Sequence, residues 1–189
     1  MEYHAQSAVD VVRRLHRQIG DPRRIERVQI ETFKTAYEII AKDEEKWRPT
    51  TRETADHSLP YIVAVGLLDG EVTRESFSPQ RLQDPAVAAL VSRTKLAEAP
   101  ELSALYPESI PNRITVWTSD GQTYRDEARY PRGHAGNRMP DDELVAKYHL
   151  NVASVLDRDA AGRLLDAALR LDTLPDLRSL TALWPVRSD

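Results

Sequence analysis

The amino-acid sequence predicts an α+β protein, in which a small antiparallel sheet with an Asp120-Gly121 hairpin is covered by helices and followed by further helices toward the C-terminus. Three observations lead there. RITVWTSDGQTYRDEARY contains two alternating runs around Asp120-Gly121, a residue pair that accepts the positive φ angles of a tight hairpin. HSLPYIVAVGLLDG is almost wholly apolar, and its length and closing Asp69-Gly70 favour a buried helix. Strands and helices do not alternate as βαβ repeats, which argues against a doubly wound parallel sheet.

Taken in order, Ala5, Ala8, Val9, Val12, Leu15 and Ile19 fall at helical spacing, and Gly20, Asp21 and Pro22 supply the stop. The chain thus opens inside an element, an abrupt start expected of a piece of a longer molecule or of a compact terminus. IERVQIETF alternates over 25–33 with Val28, Ile30 and Thr32 on one face, a half-buried strand. KTAYEIIAK reads as a short helix, and the polar stretch KDEEKWRPTTRET leads into the apolar helix, where Pro60 is tolerable only in the first turn. Asp84 and Pro85 look like an N-cap and first helical residue, placing Val87, Leu90 and Val91 inward, with a weak strand after them at 94–97.

Beyond the hairpin, PRGHAGNRMP is a loop long enough to be functional. Asp141 or Asp142 can cap a helix carrying Leu144, Tyr148, Val152 and Val155. The stretch 159–172 repeats the pattern with Leu164, Leu165, Ala168, Leu169 and Leu171, and a last short helix holds Leu177, Leu180 and Trp184.

The 189 residues carry 26 Lys plus Arg against 30 Asp plus Glu, a net charge of -4 that speaks against a nucleic-acid or anionic-membrane surface. With 41% hydrophobic and 30% charged residues and a mean hydropathy of -0.53, the composition is that of a folded globular protein. The absence of cysteine removes disulfides and thiolate ligands for zinc or iron-sulfur clusters. No apolar run approaches the roughly 20 residues of a membrane span, and the charged, amphipathic opening is no secretory signal, so a cytoplasmic location is the default expectation.

Histidines stand at positions 4, 16, 57, 134 and 149, and none forms the i, i+4 pair with an intervening Glu that marks a zinc hydrolase helix. No metal site is expected, and no phosphate-binding or dinucleotide motif occurs. The richest stretch chemically is Thr54 to Tyr61, where polar residues precede an apolar helix start with unpaired N–H groups and a positive dipole end. A substrate carboxylate could bind there, with His57, Ser58 and Tyr61 adding donors. On spacing alone the plainer reading is favoured, in which Asp56 or Ser58 is an N-cap, His57 a surface residue and Tyr61 a core aromatic with one bonded hydroxyl. His134, bracketed by Arg132 and Arg138 between Gly133 and Gly136, is either an anion-gripping loop or a solvated one. His4 lies near the start of the first helix, facing a cleft or solvent.

These residues also carry a resemblance. WRPTTRETADHSLPYIVAVGLLDGEVT is very similar to the signature of the MmgE/PrpD family, and EYHAQSAVDVV, DPAVAALVSRTKL and YPRGHAGNRMPDDELVAKY follow the family's order over essentially the whole chain. The resemblance implies the C-terminal lid portion of a 2-methylcitrate dehydratase-like lyase that acts on a tricarboxylic or related acid without a metal cluster or other cofactor. It implies an α+β lid over 1–156 and helices over 157–189 that pack on an N-terminal helical domain, with pairing as a homodimer. It also implies that Tyr61 and His57 are catalytic and that His4, Ser58, Arg132 and His134 bind substrate. The main catalytic histidines and an aspartate of the family belong to the helical domain, and a pocket lysine carried just ahead of the opening helix has no counterpart in this sequence. The competing expectation is a stand-alone, non-catalytic module that binds a small carboxylic acid or a protein partner.

Overall fold

The computed structural model describes residues 1–184 and divides the chain into two compact units, one of residues 1–138 and one from Met139 onward. In the first, a 3-10 turn (Tyr3–Ala5) leads into α1 (Gln6–Ile19), which ends at Gly20. Strand β1 (Ile25–Thr32) precedes the short helices α2 (Lys34–Ile40), α3 (Glu44–Trp47) and α4 (Arg52–Asp56). Next come the apolar helix α5 (Leu59–Asp69), α6 (Pro79–Leu82) and α7 (Pro85–Ser92), the last capped by Asp84 as expected. β2 (Thr94–Glu98), α8 (Pro100–Ser103), β3 (Asn112–Thr118) and β4 (Thr123–Ala128) complete the unit.

The α+β class holds, and the sheet is mixed, with order β2-β1-β3-β4. The β1-β3 and β3-β4 pairs are antiparallel, as expected. The β1-β2 pair is parallel, Val28 lying opposite Thr94 and Ile30 opposite Leu96, because the helices between these strands carry the chain back to start β2 at the same end. Alternation sorts the two faces. Val28 and Ile30 lie opposite Val116 and Ile114 on the core side, while the other side carries Arg27, stacked 3.7 Å over the Trp117 ring, and Arg113, which grips Glu31, Glu101 and Glu127 at 3.1, 2.9 and 2.9 Å.

The turn between β3 and β4 is wider than a two-residue hairpin. Thr118 N–H donates to the Gln122 carbonyl at 3.1 Å, and only Gly121, at φ 78°, enters the left-handed region. Asp120 stays outside it and instead accepts the Thr118 hydroxyl at 2.6 Å and pairs with Arg24, so its carboxylate, rather than its backbone, shapes the turn.

Helix α5 is the centre of the core. Every residue from Leu59 to Leu67 is buried, which requires cover on all sides, supplied by α1, α7, α3 and α4. α1 also lies against β3 and β4, so it is the layer between the sheet and α5. The α1-α5 crossing is close at Gly66, where an added Cβ would sit well inside the van der Waals contact of Val12 Cγ2.

In the second unit, α9 (Asp141–Val152) begins after Pro140 with no side-chain cap. The expected Asp141 or Asp142 cap is therefore replaced: both lie inside the first turn, where they meet the helix dipole instead. Val155 falls beyond this helix. α10 (Arg158–Leu169) is capped by Asp157, which accepts the Ala160 N–H at 2.8 Å, and Tyr148 ties the two helices by donating to the Ala161 carbonyl at 2.9 Å. α11 (Arg178–Thr181) follows, and the last five residues of the expected C-terminal segment 157–189 lie outside the described residues. Ala161 is the only buried residue among those described here, while Leu150, Leu169, Leu177 and Trp184 are exposed.

The crossing at Gly66 yields a prediction. Gly66→Ala destabilises the protein by about 1–3 kcal/mol through overpacking, and Val12→Ala in that background costs less than Val12→Ala alone. A double-mutant cycle from urea unfolding measures this, and strictly additive losses would show that the helices do not clash there.

Candidate functional site

The stretch singled out in the sequence is a pair of helix junctions. Thr51 caps α4 by accepting the Thr54 N–H at 3.2 Å; α4 closes at His57, and Ser58 caps α5. Ser58 is fully buried, its hydroxyl accepting the Tyr61 N–H at 3.1 Å and donating to the Lys46 carbonyl. With Pro60 lacking an N–H and the Ile62 N–H held by the Ser58 carbonyl at 3.0 Å, three of the first four positions of α5 offer no free backbone donor.

His57 and Tyr61 occupy different surroundings. The His57 side chain is half exposed, its Nδ1 set beside the Asp56 carboxylate and 3.1 Å from the Glu53 carbonyl. Tyr61 is 2% exposed, lies tilted against Phe77 with ring centroids 6.2 Å apart, and donates its hydroxyl to the Ser76 carbonyl at 2.6 Å. Burial pushes the phenol up to about 12, with Asp69 and Asp84 adding to the rise and Arg81 opposing it. At neutral pH Tyr61 is therefore a donor and never a base.

His4 stands on the turn ahead of α1, and the fold brings it to this motif: Glu2 N–H donates to the Asp56 carbonyl at 2.8 Å, while the Glu2 carboxylate holds His4. Asn112, at the start of β3, anchors the turn from behind by donating to the His4 carbonyl and to Ser7 Oγ, each at 2.9 Å. Sequence reasoning passed over both partners. Glu2 was legible as an acid two residues before a histidine at a helix start. Asn112, 108 residues from His4, left no local signal.

Arg132 and His134 form a separate group further along α1. Asp10 on that helix accepts the Arg132 N–H at 2.7 Å, and the Arg132 side chain reaches Asn137 Oδ1 at 3.1 Å. His134 stacks on Tyr130 at 4.9 Å and accepts the Gly136 N–H at Nδ1, at 3.0 Å. Burial raises the Asp10 carboxyl above its usual range, against the lowering influence of the Arg132 N–H and of Arg13, Arg14 and Arg132. The loop is thus folded on itself and pinned to α1.

An open depression of about 500 Å³ lies beside Phe77, walled by Thr50, Arg52, Arg74, Pro79 and Leu82, and none of the six candidate residues lines it. No group of three or more His, Asp or Glu among the described residues is placed to hold a metal ion. No helix among them is long and apolar enough to cross a membrane.

Against this geometry, a family model described as the MmgE/PrpD C-terminal domain matches residues 1–173. The chain belongs to the MmgE/PrpD family. It is 33% identical to the 2-methylcitrate dehydratase of Salmonella typhimurium over 187 residues, which is 92% of this chain and 38% of that protein. It is 32% identical to the 2-methylcitrate dehydratase of Escherichia coli K12 over the same shares. Mouse cis-aconitate decarboxylase is 30% identical over 139 residues, 71% of this chain and 28% of the relative. This MmgE/PrpD chain thus spans well under half the length of these curated relatives.

Two predictions follow from the geometry. Unfolded tyrosine loses its proton near pH 10 and buried Tyr61 near 12, so over that window the unfolded state binds fewer protons and stability falls as pH rises. Tyr61→Phe removes that part of the slope and costs about 1 kcal/mol by leaving the Ser76 carbonyl unpaired; urea unfolding across the alkaline range reads both, and identical slopes in the two proteins would refute the assignment. Asp10→Ala speeds hydrogen exchange of the Arg132 amide about ten-fold by removing its acceptor; an unchanged rate would show that the loop holds itself.

Proposed function

We propose that this chain is the lid portion of a MmgE/PrpD-type lyase, 2-methylcitrate dehydratase-like, that closes a tricarboxylic or related acid against an N-terminal helical domain. The observation that carries this reading is the match to the family's C-terminal domain through residue 173, together with dehydratase relatives that extend well beyond the matched portion. In this proposal residues 1–156 are the lid and 157–189 pack back on the helical domain. The exposure of Leu169, Leu177 and Trp184 supports that docking, since apolar side chains of this size gain about 1.5–3 kcal/mol each on full burial.

The chemistry fits half a site. Dehydration of a hydroxy acid needs a base for the proton α to a carboxylate, an acid for the departing hydroxyl, and donors for the carboxylates and the developing charge. His4 and His57 can accept or donate, and Tyr61 can only donate, which it does once the Ser76 carbonyl yields its hydroxyl. Ser58 acts by holding the start of α5, Arg132 supplies charge from the loop on α1, and His134, whose Nδ1 accepts the Gly136 N–H, offers Nε2–H as a donor. The remaining acid or base comes from the helical domain.

The chain alone therefore shows no turnover of 2-methylcitrate, citrate or cis-aconitate, and gains it when mixed with the helical half of a relative. An absorbance assay for the unsaturated product, run on each half and on both, tests this. Robust turnover by this chain alone contradicts the proposal. A well-folded mixture with no activity favours a non-catalytic acid-binding module, a reading supported by the internal commitment of the Ser58 and Tyr61 hydroxyls.

A further inference from the structure

We propose that Glu2 is a positioning residue for His4: its carboxylate locks the imidazole as the Nδ1–H tautomer and leaves Nε2 as a bare acceptor open to a bound acid. The clamp itself stands on geometry alone, and only the use made of Nε2 rests on the lyase reading.

Both carboxylate oxygens of Glu2 are engaged by one residue. Oε1 lies 2.5 Å from His4 Nδ1, and Oε2 accepts the His4 N–H at 2.7 Å. An ionised carboxylate only accepts, so at such a contact the proton belongs to Nδ1, and in the neutral ring Nε2 then carries none. The two side chains are each 11% accessible, which shields the pair from competing water. Nε2 makes no hydrogen bond among the described residues and is not one of the buried polar atoms left without a partner, so solvent reaches it.

The surroundings hold this arrangement still. The Glu2 backbone is tied to Asp56 at 2.8 Å and the His4 carbonyl to Asn112 at 2.9 Å, which fixes the turn from both ends. The imidazole lies 5.4 Å from Phe33 and 5.9 Å from Tyr106, themselves stacked at 4.9 Å, so ring rotation would disturb an aromatic cluster. His134 shows the opposite case in the same chain: its Nδ1 accepts the Gly136 N–H, which in the neutral ring requires the proton on Nε2. A group that orients an imidazole and sets its tautomer governs which nitrogen can take a proton, as outer-shell carboxylates do for histidines elsewhere.

The experiment is side-chain ¹H–¹⁵N correlation spectroscopy of the ¹⁵N-labelled chain at a pH above the imidazole range, with His4 assigned by its loss in His4→Gln. Wild type is expected to show His4 protonated at Nδ1 and bare at Nε2, with His134 reversed. Glu2→Ala is expected to shift His4 toward protonation at Nε2, and Glu2→Gln, which keeps an acceptor oxygen, to retain the wild-type tautomer. Because Glu2→Ala also removes the acceptor of the His4 N–H, the backbone amide spectrum of the core serves as the folding control. A wild-type His4 protonated at Nε2, or an unchanged tautomer in folded Glu2→Ala, overturns the proposal. In an active mixture with a helical half, Glu2→Ala lowers kcat on the order of ten-fold with little change in KM; an unchanged kcat despite a changed tautomer also overturns the positioning role. Failure of every mixture to turn over substrate removes the lyase reading, and the tautomer measurement still decides the clamp.

Discussion

Helix α5 has no polar side to turn toward water, and most of the first unit is arranged around that constraint. Nine consecutive buried residues, Leu59 to Leu67, require neighbours on every face, and α1 can approach closely only because Gly66 has no side chain to meet Val12. α1 then has two duties, one face on α5 and the other on β3 and β4. With this packing in place the positions of the α1 N-terminus and of the α4-α5 junction are no longer independent.

That coupling explains why the polar candidates meet where they do. Both the turn carrying His4 and the junction carrying His57 sit at the ends of helices packed directly against each other, and the Glu2 N–H to Asp56 carbonyl bond closes the gap between them. Asn112 adds the sheet to the same corner, since its amide spans His4 and Ser7 while Ser7 donates to the Ile110 carbonyl at 2.5 Å. A buried polar chain of this kind tolerates little slack, because each member left unpaired costs the desolvation of its group.

The two units differ in what they bury. The first contains nearly the whole core, whereas the described part of the second buries only Ala161 and exposes Leu150, Leu169 and Trp184. Short, uncapped or singly tied helices with open apolar faces gain their stability from whatever covers them. In the proposed enzyme that cover is the helical domain.

Much of the fold was legible because it follows from local rules: the stop at Gly20, the Asp84 cap with Pro85, the alternation of β1, and the all-apolar helix that had to be buried. The family was legible too, since its motifs are contiguous stretches. Three features were not. The parallel partner of β1 depends on the path of the intervening helices, the width of the hairpin on what the Asp120 carboxylate bonds, and the start of α9 on Pro140 rather than on an aspartate. For the site, the sequence could name Ser58 and Tyr61 but left open whether they serve substrate or fold. The tertiary structure decided which groups their hydroxyls bond, because the Lys46 and Ser76 carbonyls come into reach only when α3 and the segment after α5 pack against that helix. Residue types and spacing determine what a side chain can do; the partner across the core, distant in sequence, determines what it is left free to do.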